Sequence, residues 1–226
     1  MYYKLKMLFS LIRYRGFFLK NQYSKNKEDQ YLKKIFKNKI NGFYIDIGAY
    51  HPYRFSNTFH LYKKGWHGIN VDINKESIDL FNISRPRDKN LNIAISNENK
   101  VKKFFYKKKK HPMNTLNKDF AKTYFKEDGR TIRKENIMCK KFDHLMKIAG
   151  RKKIDLLDID VEGDEYNIIK HIDFKKNFFN IILIELSHFN KTAKRNSKKI
   201  KQILLKNNYF YVKHCGETSI FKNRLY

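Results

Sequence analysis

Short apolar runs alternate with amphipathic stretches along most of this 226-residue chain. Several runs, such as residues 181–184, have no polar side, which is typical of strands buried on both faces of a parallel sheet. The pattern predicts strands at residues 42–48, 68–72, 90–96, 101–106, 154–160 and 180–186. Between them it predicts helices at 25–37, 56–65, about 73–82, 118–126, 142–149, 164–172 and 194–206, the second capped by Ser56 and ended by Gly65.

The chain closes with two alternating segments, 209–215 and 218–222, joined around Gly216 and Glu217, which predict a β-hairpin. Strands that alternate with helices indicate a doubly wound sheet. The hairpin distinguishes two kinds of doubly wound sheet: one that ends in an antiparallel strand, as predicted here, and that of ordinary dinucleotide dehydrogenases, which ends in parallel strands. The expected fold class is therefore α/β: a Rossmann-like, seven-stranded sheet, mostly parallel, with a C-terminal antiparallel hairpin.

No internal repeat and no Gly/Ser-rich or Pro-rich linker divides the chain, so we expect one folded domain at residues 25–226 after a basic N-terminal segment at 1–24. Residues 107–141 are irregular, basic and aromatic. This segment is predicted to be an insertion that recognises substrate, and residues 111–133 within it are a candidate lid.

Residues 1–20 are apolar and aromatic but are interrupted by the basic side chains Lys4, Lys6, Arg13, Arg15 and Lys20. They offer neither a membrane-spanning run nor a signal-peptide cleavage site. A helix packed on the domain is favoured over peripheral contact with an anionic membrane. Cys139 and Cys215 lack the spacing of a disulfide framework or a zinc site. We therefore expect a cytoplasmic protein, with association to the inner face of a membrane as the alternative.

The charge is strongly basic: 50 Lys and Arg against 22 Asp and Glu give a net charge of +28. Such a field attracts nucleic acid, anionic lipid or acidic polysaccharide. Lys, Asn and Ile have AT-rich codons, however, so a skewed genome composition explains much of the basicity equally well. The charge alone does not decide between functions.

The loop after the first strand is the first candidate for chemistry, since ligands of doubly wound sheets lie beyond the carboxyl ends of the strands. A dinucleotide pyrophosphate needs three glycines there, and this loop has only Gly48. S-adenosylmethionine carries no phosphate and needs fewer. Asp72 follows Gly48 by 24 residues and ends the second strand, where a carboxylate can accept both ribose hydroxyls. The alternative is that Asp46 and Asp72 merely cap the following helices.

A set of motifs occurs in a specific order through residues 25–189. They are Asp46-Ile-Gly-Ala-Tyr-His-Pro52, Ser56-Asn-Thr58, Gly65-Trp-His-Gly-Ile-Asn-Val-Asp72, Phe81 with Arg85-Pro-Arg-Asp88, Asn90-Leu-Asn-Ile-Ala-Ile-Ser96 and Ile159-Asp-Val-Glu-Gly163. This combination resembles the FkbM family of methyltransferases. The resemblance implies a seven-stranded methyltransferase sheet and O-methylation, with S-adenosylmethionine, of sugars or other hydroxylated products.

By position, the resemblance also implies cofactor contacts. The cofactor loop would be formed by Asp46, Gly48, Ala49 and Tyr50. Ser56 and Asn57 would lie near the methionine end of the cofactor. Asp72 would bind the ribose, and the backbone around Ala94 would lie by the adenine.

A second polar cluster follows the strand at 154–160. Asp158 and Asp160 share one face of that strand, and paired buried carboxylates are costly unless protonated, paired or liganded. Asp158 departs from the family pattern, which often has Lys or Ser there. Glu185 lies at the end of the next strand and His188 just beyond it; these two are the candidate general bases, with Asp160 positioning cofactor or substrate.

A divalent cation held by Asp160, Glu162 and Glu185 is a less favoured way to acidify a hydroxyl, because no ligand spacing indicates it. The sequence therefore leaves the metal requirement open.

Three functions remain open. The leading hypothesis is an O-methyltransferase whose partner is a small-molecule or glycan acceptor. A nucleic-acid methyltransferase is less favoured: the net charge and the basic, aromatic stretch at 104–111 suggest it, but an Asn-Pro-Pro-Tyr type motif is missing. The third is a non-catalytic Rossmann-like module that tethers to a membrane or a glycan-synthesis complex.

Overall fold

The computed structural model describes residues 21–109, 111–125 and 132–225, with isolated positions between 7 and 16. Most of the basic segment 1–24 lies outside these residues, and with it both the predicted packed helix and the alternative membrane contact. The described helices are α1 (Glu28–Ile35), α2 (Phe59–Lys63), α3 (Lys75–Ser84), α4 (Lys118–Phe125), α5 (Phe142–Ala149), α6 (Glu165–Ile169) and α7 (Lys191–Lys206). None of them is long and apolar enough to cross a membrane.

The described strands are β1 (Phe43–Ile47), β2 (His67–Val71), β3 (Lys89–Leu91), β4 (Ala94–Ile95), β5 (Val101–Tyr106), β6 (Arg133–Lys140), β7 (Lys153–Ile159), β8 (Phe178–Glu185), β9 (Tyr209–Cys215) and β10 (Thr218–Asn223). Seven of them form one sheet in the order β3-β2-β1-β7-β8-β10-β9. β10 runs antiparallel to both of its neighbours, and the pairs from β3 to β8 are parallel. The predicted fold class is confirmed. The strand order reverses between β1 and β7, which is where such sheets bind ligands.

The sheet is buried on both faces, as its apolar strands predict. All five residues of β1 are buried. Ile45 and Ile47 belong to a core cluster completed by side chains of α5, α6 and α7. Tyr44 belongs to a second cluster on the other face, with side chains of α1 and α2. Asp46 interrupts this apolar strand and stands in register with Asp158 of β7.

A small second sheet, ordered β4-β6-β5, corrects two predictions. The predicted strand at 90–96 divides into β3, which joins the main sheet, and β4, which joins the small one. The segment 107–141 is not wholly irregular, because β6 pairs with β5 along its length. In β6 only Ile137 and Cys139 are buried, so its sequence carries little strand signal and pairing with β5 stabilises it.

The predicted start of α2 at Ser56 is also wrong, since the helix begins at Phe59. The Ser56 hydroxyl still accepts a hydrogen bond from the Phe59 amide at 3.2 Å. The N-cap position belongs to Thr58, whose hydroxyl instead donates to Asp46 Oδ2 at 2.7 Å. The capping residues of α2 therefore connect it to the acid of β1.

Candidate active site

A pocket of about 530 Å³ lies beyond the carboxyl ends of β1, β2 and β7 and is called the switch-point pocket below. Four of the predicted site residues line it: Gly48, Asp72, Ala94 and Asp160. Its walls are otherwise mainly apolar, from side chains such as Ile73, Ile93 and Val161, and one side is formed by residues of the 111–116 loop. Its apolar lining with few polar groups is typical of small-molecule sites.

Gly48 makes the floor of this pocket possible. Its φ of 88° is in the left-handed region, and its amide donates to the carbonyl of Val71 at 2.9 Å. A β-carbon at this position would lie 1.7 Å from the backbone oxygen of Asp160. The Asp160 amide in turn donates to the Ile47 carbonyl at 2.9 Å. The loops that follow β1 and β7 therefore touch at a point where only glycine fits.

Asp72 connects the loops after β1 and β2. Its Oδ2 accepts a hydrogen bond from the Tyr50 amide at 2.8 Å, and its Oδ1 accepts from the Asn74 amide at 2.6 Å. Burial raises the pKa of Asp72 to about 6, although these two amide bonds oppose the shift. Each carboxylate oxygen keeps a further lone pair, so the side chain can still accept hydrogen bonds from a ligand in the pocket.

Asn114 is a pocket residue that the sequence did not reveal. Its Nδ2 donates to the Lys109 carbonyl at 2.9 Å, while its Oδ1 is buried and has no hydrogen-bond partner among the described residues. Buried polar atoms are normally satisfied, so an unpaired acceptor on a pocket wall suits a ligand that donates a hydrogen bond. Nothing in the irregular pattern of 107–141 distinguishes this asparagine from its neighbours.

A second pocket, of about 830 Å³, opens beside the first and is called the acidic pocket below. The two share Gly48, Pro112 and Asp160. Five carboxylates line the acidic pocket: Glu28, Asp160, Glu162, Glu185 and Glu217. Besides Gly48, two more of the predicted cofactor residues, Tyr50 and Asn57, line this pocket, and so does Phe55.

Three acids of this pocket, Asp160, Glu162 and Glu185, have raised pKa values, with burial as the largest cause. Glu185, at the end of β8, is only 8% exposed, and its Oε2 has no hydrogen-bond partner within the described part of the chain. Burial first, and then the charges of Asp160 and Glu162, raise the pKa of Glu185 to about 12. Glu185 is therefore protonated at neutral pH, and it hydrogen-bonds to Asp160.

Asp160, in contrast, is mostly ionised at neutral pH. Its accessible surface faces both pockets, but surrounding protein atoms desolvate the carboxylate and raise its pKa to about 6. Desolvation and the charge of Asp160 raise the pKa of Glu162 to about 9. Asp160 therefore has the lowest pKa of the trio Asp160, Glu162 and Glu185, and it is the member most ionised at neutral pH.

Asp46 and Asp158 lie behind the pockets and line neither of them. Burial raises the pKa of Asp46 to about 6. Burial and the charge of Asp46 raise the pKa of Asp158 well above its usual range, and Asp158 Oδ2 accepts from Asn57 Nδ2 at 2.9 Å. This pair supports the loop that carries Asn57 and Thr58 rather than facing a ligand.

The other predicted residues occupy different positions. Ala49 is buried and its amide donates to Val71 at 3.1 Å, and Ser56 is buried where its hydroxyl accepts from Arg85. His188 lies three residues beyond the end of β8, is exposed, and lines neither pocket. The trio Asp160, Glu162 and Glu185, which spacing alone does not connect, is brought together.

Comparison with known proteins gives one extended match in sequence. A family model described as the methyltransferase FkbM domain matches residues 46–211. No curated protein matches the chain.

Solved structures resemble the chain at low identity. A TehB-like S-adenosylmethionine-dependent methyltransferase from Corynebacterium glutamicum is 9% identical, with a TM-score of 0.43 over 98% of this chain and 100% of that one. An O-methyltransferase from Bacillus cereus in complex with S-adenosylhomocysteine is 8% identical, with a TM-score of 0.48 over 96% of this chain and 88% of the other.

Proposed function

We propose that this chain, which belongs to the FkbM family of methyltransferases, transfers the methyl group of S-adenosylmethionine to a hydroxyl of a sugar, glycan or glycolipid. The observation that carries the proposal is the junction of the two pockets at Gly48, Pro112 and Asp160. A cofactor in one pocket and an acceptor in the other would meet there.

The switch-point pocket fits S-adenosylmethionine. Asp72 offers carboxylate oxygens for the ribose hydroxyls, and the unpaired Oδ1 of Asn114 offers an acceptor for the adenine amino group. Apolar side chains such as Ile73 and Ile93 suit the faces of the adenine ring. When bound, the cofactor supplies a methyl group on a positively charged sulfur.

The acidic pocket suits a polyhydroxylated acceptor. Its carboxylates accept hydrogen bonds and so match the many O–H donors of a sugar. Tyr50 and Phe55 line the same pocket as stacked rings, 6.2 Å between centroids and 20° between planes. Such a pair gives an apolar surface on which the C–H face of a sugar ring can pack. Hydrogen-bonding groups and aromatic rings together favour a sugar over a purely apolar acceptor.

Asp160 is the residue best placed to act on the acceptor hydroxyl. It lies at the junction of the pockets and is mostly ionised at neutral pH. Glu185 keeps its own proton and hydrogen-bonds to Asp160, which holds that carboxylate in place. Asp160 would orient the hydroxyl towards the methyl group and accept its proton as the C–O bond forms and the C–S bond breaks. His188, outside both pockets, is less well placed.

A nucleic-acid acceptor is disfavoured by the same pocket. The net charge of +28 attracts polyanions to the surface as a whole. Within the acidic pocket, however, a phosphate backbone would approach five carboxylates. Binding of RNA or DNA that weakens with salt, accompanied by methyl transfer to the bound strand, would favour this second function.

The first prediction tests the acceptor class. Purified protein with isotopically labelled S-adenosylmethionine should methylate at least one member of a panel of glycosides, sugar nucleotides and glycolipids, with label recovered in an alkali-stable ether. Asp72→Ala should lower the affinity for the cofactor about tenfold or more, because two ribose hydrogen bonds are lost. Asp143→Ala, which removes an exposed carboxylate from α5, is the matched control. Label transferred only to RNA would contradict the proposed acceptor.

The second prediction is a pH dependence of cofactor binding. The ribose hydroxyls donate to an ionised Asp72, whose pKa in the free protein is raised to about 6. Affinity should be nearly constant above pH 7, fall about twofold by pH 6 and fall about tenfold by pH 5, because binding must then remove a proton. Calorimetry of wild type and Asp72→Asn across pH 5–8 checks this. The variant should bind more weakly and lose most of the dependence, and an equal slope in both proteins would assign the titration elsewhere.

A further inference from the structure

Three carboxylates converge at the junction of the pockets. One oxygen from each of Asp160, Glu162 and Glu185 lies within 4.8 Å of the other two. Asp160 and Glu162 follow β7, and Glu185 ends the neighbouring parallel strand β8. The sequence offers these three acids only as a less favoured cation site, because Glu185 is separated from Asp160 and Glu162 by a helix and most of a strand.

A second observation concerns the individual oxygen atoms. Glu185 lines the acidic pocket and is only 8% exposed, yet its Oε2 has no hydrogen-bond partner among the residues that the structure describes. A buried acceptor without a partner costs roughly 1–3 kcal/mol. A ligand that contacts this oxygen would remove that cost.

The surrounding acidic groups favour a cation as that ligand, and binding of the cation would displace the protons that Glu162 and Glu185 hold in the free protein. Glu28 and Glu217 add two more carboxylates to the trio, and Lys25 is the one basic side chain among the described residues that line the pocket. Lys25 is itself exposed to solvent. In a chain of net charge +28, this local excess of acid is opposite to the overall charge.

The spacing also fits a metal ion. Oxygens bound to Mg²⁺ or Ca²⁺ lie about 2.0–2.6 Å from the ion, so two of them are at most about 4–5 Å apart. The oxygens of the trio lie within 4.8 Å of one another, which falls within that range. A ligand set made only of carboxylate oxygens suits the hard divalent cations Mg²⁺, Mn²⁺ and Ca²⁺.

We propose that Asp160, Glu162 and Glu185 bind one hard divalent cation, Mg²⁺, Mn²⁺ or Ca²⁺ in class, and that this ion holds the acceptor hydroxyl. The inference rests on the proposed function and specifies how the acceptor is held. Three protein oxygens leave about half of a six-coordinate shell for water and for acceptor oxygens. A hydroxyl bound to the ion loses its proton more readily, and the oxygen of Asp160 that does not bind the ion can accept it. Vicinal hydroxyls of a sugar would occupy two neighbouring positions.

The test is a titration of the purified, metal-free protein with Mn²⁺, with free Mn²⁺ measured by electron paramagnetic resonance. Wild type should bind one ion per chain with a submillimolar Kd. Glu185→Gln keeps the shape of the side chain and should weaken binding by about tenfold or more, as should Glu162→Gln. Glu217→Gln removes a charge from the same pocket outside the trio and should change the Kd by less than about threefold.

The outcomes separate this inference from the proposed function. S-adenosylmethionine binding, measured without metal, reports on the cofactor pocket alone. Cofactor binding without saturable Mn²⁺ binding would overturn the metal site and leave the methyltransferase intact. Equal losses in Glu185→Gln and Glu217→Gln would also overturn it, because they would show diffuse attraction to the pocket. Thermal unfolding of each variant confirms that the titrated protein is folded.

Discussion

Gly48→Ala is expected to abolish measurable S-adenosylmethionine binding and to lower the free energy of unfolding by about 3 kcal/mol or more. The new methyl group would lie 1.7 Å from the carbonyl oxygen of Asp160, and the backbone here has a φ of 88°. The collision is with backbone, so no side-chain rotation relieves it. The loops after β1 and β7 must separate, which changes the floor of the cofactor pocket and displaces Asp160. Calorimetry with the cofactor and urea unfolding measure the two effects.

Gly150→Ala is the matched control for that variant. Gly150 also has a left-handed backbone, with a φ of 62°, and it ends α5 where an added methyl group would meet no atom within 4 Å. The substitution should cost only about 1 kcal/mol, the ordinary penalty for alanine in a left-handed conformation, and leave cofactor binding unchanged. Equal destabilisation by the two variants would show that the contact between the loops contributes little.

The parts of the site that follow from local sequence were predictable. Apolar runs that end in an acid or a glycine located β1, β2 and β7, and the topology of a doubly wound sheet then brings the ends of these strands together. Gly48, Asp72 and Asp160 were expected at one edge, and all three line the switch-point pocket. The C-terminal hairpin was equally predictable, because its alternation and its turn are local features.

The remaining parts depend on contacts between distant segments. Asn114 reaches the pocket from a loop whose sequence has no hydrophobic periodicity. Strand β6 forms because it pairs with β5, about thirty residues earlier in the chain. Glu185 was recognised as a candidate base, but its protonation state follows from the approach of Asp160 and Glu162 in the folded chain. Single-sequence patterns do not contain such distances.

Arg85 is the clearest example of a residue whose position single-sequence patterns do not predict. It lies between a helix and a proline, and this context gives no sign of burial. The structure buries it completely. Its guanidinium lies over three aromatic rings and donates to the Thr58 hydroxyl at 2.9 Å, to the Ser56 hydroxyl at 2.7 Å and to the Pro52 carbonyl. Its charge also lowers the pKa values of the buried acids Asp46 and Asp88, opposing the desolvation that raises them. One side chain therefore holds the loop before α2 and balances two carboxylates.

Arg85→Met should destabilise the domain by about 3–5 kcal/mol, the usual effect of removing one partner from a buried charged network. Methionine preserves much of the apolar stem but leaves the loop oxygens and both acids without the guanidinium. The control is Arg87→Met, at an exposed arginine two residues away that contacts the ring and the carbonyl of Tyr62. It should lower the free energy of unfolding by less than about 1 kcal/mol. Urea unfolding of the three proteins compares these values directly.

The pH dependence of the Arg85→Met deficit distinguishes charge from packing. Without the guanidinium the folded-state pKa values of Asp46 and Asp88 rise further, so the variant binds protons at a pH where the wild type has lost them. The deficit should therefore be largest near pH 8 and shrink towards pH 5, as protonation neutralises the unpaired acids. Arg85→Lys, which keeps the charge without the planar fork, should show a smaller and nearly pH-independent loss. A deficit in Arg85→Met that stays constant from pH 8 to pH 5 would mean that Arg85 acts through packing and hydrogen bonds alone, with Asp46 and Asp88 stabilised by other groups.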